Sequence, residues 1–299
     1  MIVAVSGAGG LIGSALVTSL RADGHRAIPL VRRAPRPGED ALGWDPSSGA
    51  LTPAGTAAAD AVVHLAGDRI VGLRWTAEKK RRIRESRVTA TRLLVQTLTR
   101  LPKPPAVLVG ASGIGYYGSR GDGVLTEDSR VGTGFLADLA RDWEAATAPA
   151  MAMGIRVVNL RIGVVLSAKG GALAAMLTPF RLGMGGVIGD GTQWMSWIAL
   201  DDIIGAIRHV LERDALRGPV NAVAPAPATN AEFTRTLGRV LGRPTLVPLP
   251  AFAAHLALGE MADELLLTSQ RVLPARLEAS SYTFRHPTLE GALRAALGR

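Results

Sequence analysis

Three glycines spaced by three form the first group of residues with chemistry in its pattern: Ser6-Gly7-Ala8-Gly9-Gly10-Leu11-Ile12-Gly13. They follow an apolar run, Ile2 to Val5, that reads as a buried strand. They precede Ser14 to Arg21, which reads as a helix with Leu11, Ala15 and Leu16 on one side and Asp23-Gly24 at its end. In that setting each glycine has a task. Gly7 permits the tight turn, Gly10 lets the backbone approach a pyrophosphate, and Gly13 lets the helix pack on the sheet. Gly9, Leu11 and Ile12 complete the loop, and the helix N-terminus offers free N–H groups and a partial positive charge. The predicted ligand is a dinucleotide.

The second strand, Ala27 to Val31, ends in Arg32-Arg33. An acidic residue there would bond a ribose 2′-hydroxyl, whereas arginine offers a charged fork to a 2′-phosphate. The expected cofactor is therefore NADP(H) in preference to NAD(H), with Arg32 the better placed of the pair. A third apolar run, Ala61 to Leu65, ends in Ala66-Gly67. Leu65, Ala66 and Gly67 would pass close to the cofactor at the carboxyl ends of the strands. His64, inside an apolar strand, reads as a packed core residue rather than a catalytic base.

The elements that must position these groups alternate. Thr76 to Leu101 is a long helical pattern closed by Pro102 to Pro105. Ala106 to Gly110 and Ile155 to Leu160 read as strands, with Asp138 to Met153 helical between them. Later come a helix over Asp201 to Arg213, a strand over Pro219 to Val223 and a helix over Ala231 to Leu241. The tail from Pro248 is mostly helical and ends with Leu289 to Leu297. This rhythm implies parallel pairing with right-handed crossovers. The fold class is α/β, a Rossmann-type doubly wound parallel sheet with a small, mainly helical C-terminal domain. The expected division is 1–215 for the nucleotide domain and 216–299 for a substrate or cap domain, with 167–197 contributing to the latter.

Beyond the loop, several stretches carry a family resemblance. They are Arg74-Trp75-Thr76, Ser86-Arg87-Val88 with Thr91, and Ala111-Ser112-Gly113-Ile114-Gly115-Tyr116-Tyr117-Gly118. Then come Arg161-Ile162-Gly163-Val164-Val165-Leu166, Trp194 to Trp197 with Asp201-Asp202, and Gln270-Arg271-Val272-Leu273-Pro274. With the glycine loop they resemble the extended short-chain dehydrogenase/reductase superfamily, NAD(P)-dependent epimerase/dehydratase-like, in the subfamily with a short C-terminal helical domain. The resemblance runs from Met1 to about Leu297. It implies a hydroxyl from Ser112 near the nicotinamide, with Val164 bordering that end. It also suggests that Arg87 reaches the cofactor phosphates; the other reading of Arg87 is a helix surface residue in an ion pair.

One expected feature of that superfamily is missing. Its catalytic pair is Tyr-x-x-x-Lys on one helix, where Lys lowers the Tyr pKa. The tyrosines here are Tyr116, Tyr117 and Tyr282, followed four positions later by Arg120, Gly121 and His286. Ser112, Tyr116 and Tyr117 are the catalytic candidates, although the two tyrosines could equally serve packing. The function implied is an NADP(H)-dependent oxidoreductase or epimerase of a small polar metabolite. The alternative is a non-catalytic NADP(H)-binding sensor or regulator.

Composition narrows the rest. There are no cysteines, which excludes thiolate nucleophiles and disulfides, and the five dispersed histidines give no metal-binding spacing. No stretch has the length of a membrane span, and the apolar start lacks a basic leader, so a cytoplasmic location and no membrane partner are expected. The net charge of +9 permits nucleic acid binding, but 4% aromatics leave little to stack on, so nucleic acid is not the expected partner. A small-molecule substrate is expected, and a homodimer is compatible with the sequence. Glu127-Asp128 reads as solvated and Asp201-Asp202 as a helix cap or dipole pair. Trp75, Trp194 and Trp197 either wall a cleft or fill core.

Overall fold

In the computed structural model, which describes residues 1–52, 59–72 and 74–299, the chain begins with strand β1 (Ile2–Ser6) and helix α1 (Leu11–Ala22). Strands β2 (Arg26–Val31), β3 (Leu42–Trp44), β4 (Leu51–Thr52), β5 (Ala61–His64) and β6 (Val107–Gly113) follow. With Arg156–Ile162 and Gly218–Ala222 they build one eight-stranded sheet. From one edge its order is Gly218–Ala222, Arg156–Ile162, β6, β5, β1, β2, β3, β4. All neighbours are parallel except β3 and β4. The chain turns one way from β1 to β2 and β3, and the other way from β5 to β6. The crevice between β1 and β5 is thus the topological switch point, where open α/β sheets bind ligands.

The strands are buried on both faces, which is why they read as continuous apolar runs. Val3, Val5, Ala61, Val63, Val107 and Val109 point to one side, against Leu16, Leu20, Ile203 and Ile207. Ala4, Ile28, Val62 and Leu108 point to the other, against Leu94, Val95 and Leu98. Helix α1 turns Gly13, Leu16, Val17 and Leu20 to the sheet at helical spacing. Full burial of Leu16 or Leu20 contributes roughly 1.5–3 kcal/mol.

The long helical pattern expected over Thr76 to Leu101 is present but interrupted. It comprises α2 (Ala77–Arg84), a π-helical turn over Glu85–Thr89, and α3 (Ala90–Thr99). The helix expected over Asp138 to Met153 is two pieces, α4 (Phe135–Ala145) and Ala148–Ala152. The short strands β3 and β4 were not expected; at three and two residues they are too short to show a period. Gly218–Ala222, which lies beyond the expected division at 215/216, is the edge strand of the large sheet.

A third core lies beyond the sheet. Leu173, Leu177, Phe180, Trp197, Phe233, Leu237 and Leu293 pack together, joining 167–197 to the C-terminal helices. Among the described residues no helix is long and apolar enough to cross a membrane.

Candidate functional site

The glycine loop closes directly onto the switch point. Gly7 has φ +69°, and a Cβ there would lie 2.9 Å from the backbone of Leu65. A Cβ on Gly13 would overlap the Gly7 carbonyl oxygen. Both positions therefore require glycine, one for its turn and one for the closeness of helix and loop. Gly10 caps α1 without a side-chain bond, and no acidic residue sits in the first turn. The first N–H groups of α1 have no intrahelical acceptor and lie next to the exposed Gly9 and Gly10. A groove of about 1360 Å³ opens there, bordered by Gly9, Gly10, Leu11, Gly67, Arg87 and Lys169.

Beneath the loop the register aligns Ser6 with His64. Ser6 Oγ accepts the N–H groups of Leu65 at 3.1 Å and Ala66 at 3.3 Å, and lies 2.6 Å from His64 Nδ1. With both lone pairs used, the Ser6 hydroxyl donates to Nδ1, leaving Nε2–H to donate to Thr91 Oγ1 at 3.0 Å. Trp143 Nε1 donates to the same oxygen at 2.9 Å. Burial pushes the His64 pKa down to about 4. His64 is thus a neutral core residue that braces the loop Leu65 to Gly67.

Arg87 sits in the π-helical turn and is 7% exposed. Its guanidinium donates to the Asp68 carbonyl at 2.9 Å and stacks on Trp143 at 5.1 Å. Its Nε has no partner, and among the described residues it forms no ion pair with any carboxylate. Burial pulls its pKa down to about 10, partly countered by Asp68. The alternative reading, a surface arginine in an ion pair, is corrected: this cation is buried, and no carboxylate among the described residues bonds it. It lies against Gly67, where a Cβ would come within 3.0 Å of its Cζ. An unpaired buried charge is expensive unless an anion completes it. The glycine cradle, the open helix end and this guanidinium together fit a dinucleotide pyrophosphate.

At the end of β2 the two arginines differ. Arg33 makes two bonds to Glu39, at 2.8 and 2.6 Å, and holds the Glu39 carboxyl down at about 2. Arg32 is exposed and has no hydrogen bond or ion pair among the described residues.

The other end of the crevice is built across three strands. Ser112, Arg161 and Asn221 lie side by side in register on β6, Arg156–Ile162 and Gly218–Ala222. Ser112 Oγ donates to Glu144 Oε1 at 2.8 Å. Glu144, on α4, takes two bonds from Arg161, both 2.8 Å. Arg161 also donates to the Tyr117 hydroxyl at 3.0 Å, and that hydroxyl donates to Asn221 Oδ1 at 2.6 Å. Tyr117 is fully buried; burial pushes its pKa up to about 12 against the opposing pull of Arg161. Burial alone would lower the Arg161 pKa, but Glu144 and Tyr117 outweigh it and the net direction is up. The expectation of Tyr117 as an acid is therefore corrected: its oxygen is enclosed and occupied. Tyr116 is half-buried, with the Arg161 guanidinium over its ring at 3.5 Å. Val164 is half-buried and pairs with Trp197.

Glu144, Asn221 and Glu264 were not singled out from sequence. Glu264 Oε1 and Oε2 accept the N–H groups of Phe135 and Leu136 at 2.9 and 3.1 Å, capping α4 from the C-terminal part. Arg161 gave one signal, a charge inside an apolar strand. Helix α4 turns Leu136, Ala137, Leu139, Ala140 and Trp143 inward and carries neither Tyr nor Lys. Glu127 is also corrected: it is buried, and Oε1 accepts the N–H groups of Asn221 at 2.9 Å and Arg276 at 3.2 Å. Asp202, in the first turn of its helix, is buried and holds the N–H groups of Arg285 and His286 at 2.7 and 3.0 Å. Trp197 is core, whereas Trp75 and Trp194 are half-buried.

A doubly wound sheet with a glycine cradle at its switch point defines a Rossmann-type protein. Residues 3–222 match the NAD dependent epimerase/dehydratase family, and residues 249–296 match a domain of unknown function, DUF1731. The chain belongs to that epimerase/dehydratase family. It is 46% identical over 298 residues to an epimerase family protein of Mycobacterium bovis, covering 100% of this chain and 98% of that one. It is 40% identical to the human epimerase family protein SDR39U1, covering 98% and 99%. A crystal structure of the human protein (isoform 2) with NADPH superposes with a TM-score of 0.91 at 36% identity, covering 100% of both chains. A nucleoside-diphosphate sugar epimerase from Corynebacterium glutamicum gives a TM-score of 0.82 at 40% identity, covering 100% of this chain and 58% of that one.

Proposed function

We propose that this protein is an NADP(H)-dependent oxidoreductase or epimerase acting on a small polar metabolite. The observation that carries the reading is Arg87, a buried cation on the wall of the dinucleotide groove that forms no ion pair among the described residues. The open N-terminus of α1 and Arg87 hold the pyrophosphate, and the exposed, unpaired Arg32 holds the 2′-phosphate. NADPH in the human relative's structure supports this assignment. When bound, the cofactor supplies or accepts a hydride. Ser112 and Tyr116 line the reacting atom. The Ser112 hydroxyl is oriented by Glu144, so its remaining lone pairs are free to accept a substrate hydroxyl. Tyr117, Asn221 and Arg161 fix that wall.

The second reading, a cofactor-binding sensor without turnover, draws on α4, whose inward face is apolar where a Tyr–Lys pair would act. A fluorescence titration with NADPH and NADH addresses the cofactor. Arg32→Ala should raise the NADPH Kd about tenfold, the value of one charge-assisted bidentate contact, and leave NADH unchanged. Equal weakening of both would remove the 2′-phosphate role. Oxidation of bound NADPH by aldehydes, ketones, quinones or nucleotide sugars then separates the readings. Turnover that falls in Ser112→Ala but survives in Tyr117→Phe supports the enzyme. Tight binding with no turnover across the panel favours the sensor.

A further inference from the structure

Six large apolar side chains stand out from one side of the C-terminal part. Leu246 is 81% exposed, Phe252 75%, Leu256 70% and Leu182 67%. Met184 and Val247 are exposed beside them. The backbone brings 183–187 beside 244–249 and runs on from there into the helix that carries Phe252 and Leu256. Val247 N–H donates to the Gly185 carbonyl at 3.4 Å and Leu249 N–H to the Val187 carbonyl at 2.8 Å. Gly183 faces the Pro244 ring, with 3.8 Å between that ring and an added Cβ. Pro250 then leads into the helix Ala251–Leu258, on which Phe252 and Leu256 are one turn apart and only Ala254 is buried. Six large apolar side chains this exposed on neighbouring stretches of chain depart from the singly scattered hydrophobics of an ordinary monomer surface.

Shape and charge select the occupant. The six protrude outside the neighbouring groove, which is lined instead by Gly189, Asp190, Pro250, Ala251 and Leu267. The rim is basic. Arg181 ends the helix before Leu182, Arg243 precedes Pro244, and Arg235 lies one turn from Gly238, which packs on the Arg243 carbonyl. None of these three arginines has an ion pair among the described residues. Of the nearby acids, Glu260 pairs with Lys80 and Asp263 with His255, and Asp190, bonded only to Thr192, is the one carboxylate there without a cation among the described residues. A second copy docking here would set arginines against arginines. An anionic bilayer meets both demands, since its acyl boundary takes protruding apolar groups and its phosphates take arginine.

We propose that this face docks on an anionic lipid bilayer, with Leu246, Phe252 and Leu256 entering the headgroup–acyl boundary and Arg181 and Arg243 on lipid phosphates. The net charge of +9 adds long-range attraction. No membrane partner is expected from the sequence, because no segment is long enough to span, but peripheral docking makes no demand on helix length.

The test is co-sedimentation of the full chain with vesicles of phosphatidylcholine alone and of phosphatidylcholine mixed with phosphatidylglycerol. The protein should pellet with the mixed vesicles, and less so as salt is raised. Phe252→Asp with Leu256→Asp should lower partitioning about tenfold or more. Arg181→Glu with Arg243→Glu should abolish the preference for phosphatidylglycerol. All four residues are exposed, so circular dichroism and NADPH titration should be unchanged in the variants. No pelleting with either vesicle overturns the proposal. So does pelleting that survives Phe252→Asp with Leu256→Asp. A concentration-dependent dimer in light scattering, dissolved by the same pair, would assign the face to a second copy instead.

Discussion

The two ends of the crevice handle their polar groups in opposite ways. At the glycine end, the first N–H groups of α1, Arg87 Nε and the Arg32 guanidinium have no protein acceptor among the described residues. At the Ser112 end, Ser112, Glu144, Arg161, Tyr117 and Asn221 are joined in one chain of hydrogen bonds. Open valences beside a cavity mark where a ligand completes the structure, whereas the closed ones of Tyr117, Arg161 and Asn221 mark a framework, at whose end Ser112 keeps its acceptor lone pairs.

The largest expected effect lies at the closed end. Arg161→Ala leaves Glu144 partly buried without its cation and should cost about 3–5 kcal/mol in urea unfolding. Tyr117→Phe, which removes only one hydroxyl from the chain, should cost about 1 kcal/mol. If Arg161→Ala were neutral, the network would not be a framework and the contrast would fail.

His64 braces the loop between the two ends, and its folded pKa of about 4 lies below the ordinary 6.5. The unfolded chain therefore binds the extra proton first. Stability from this group is complete above pH 6.5 and declines as pH falls toward 4, by up to roughly 3 kcal/mol. Urea unfolding at pH 7 and pH 5 should show a loss that His64→Gln lacks; an equal loss in that variant would place the pH dependence elsewhere.

Gly13→Ala presses a methyl group onto the Gly7 carbonyl. It should cost about 1–3 kcal/mol and weaken NADPH and NADH alike, because the cradle itself shifts. Calorimetric titration that separates the two cofactors would count against that. The smallest effect sharpens the contrast most. Arg87→Ala should weaken both dinucleotides about tenfold while unfolding changes by under ~1 kcal/mol, since no buried carboxylate loses its partner. A stability loss like that of Arg161→Ala would show Arg87 to be framework too.

The sequence by itself determined the strand–loop–helix of Gly7 to Gly13, the parallel α/β order, the basic end of β2 and the absence of a Tyr–Lys pair. These are local: periodicity, glycine spacing and residue type over one or two elements encode them. Even the core role of His64 was legible, because an apolar strand leaves a histidine no water. Tertiary structure alone decided the roles that depend on distant partners. Arg32 and Arg33 are adjacent and chemically alike, yet Glu39 takes only Arg33. Tyr116 and Tyr117 are neighbours, yet only Tyr117 meets Asn221, 104 residues away. Glu127 was assigned to solvent because nothing near it in the chain shows that Asn221 and Arg276 cover it. A polar side chain's role is set by whether the fold brings it a partner, and only the assembled sheet aligns Ser112, Arg161 and Asn221 in one row.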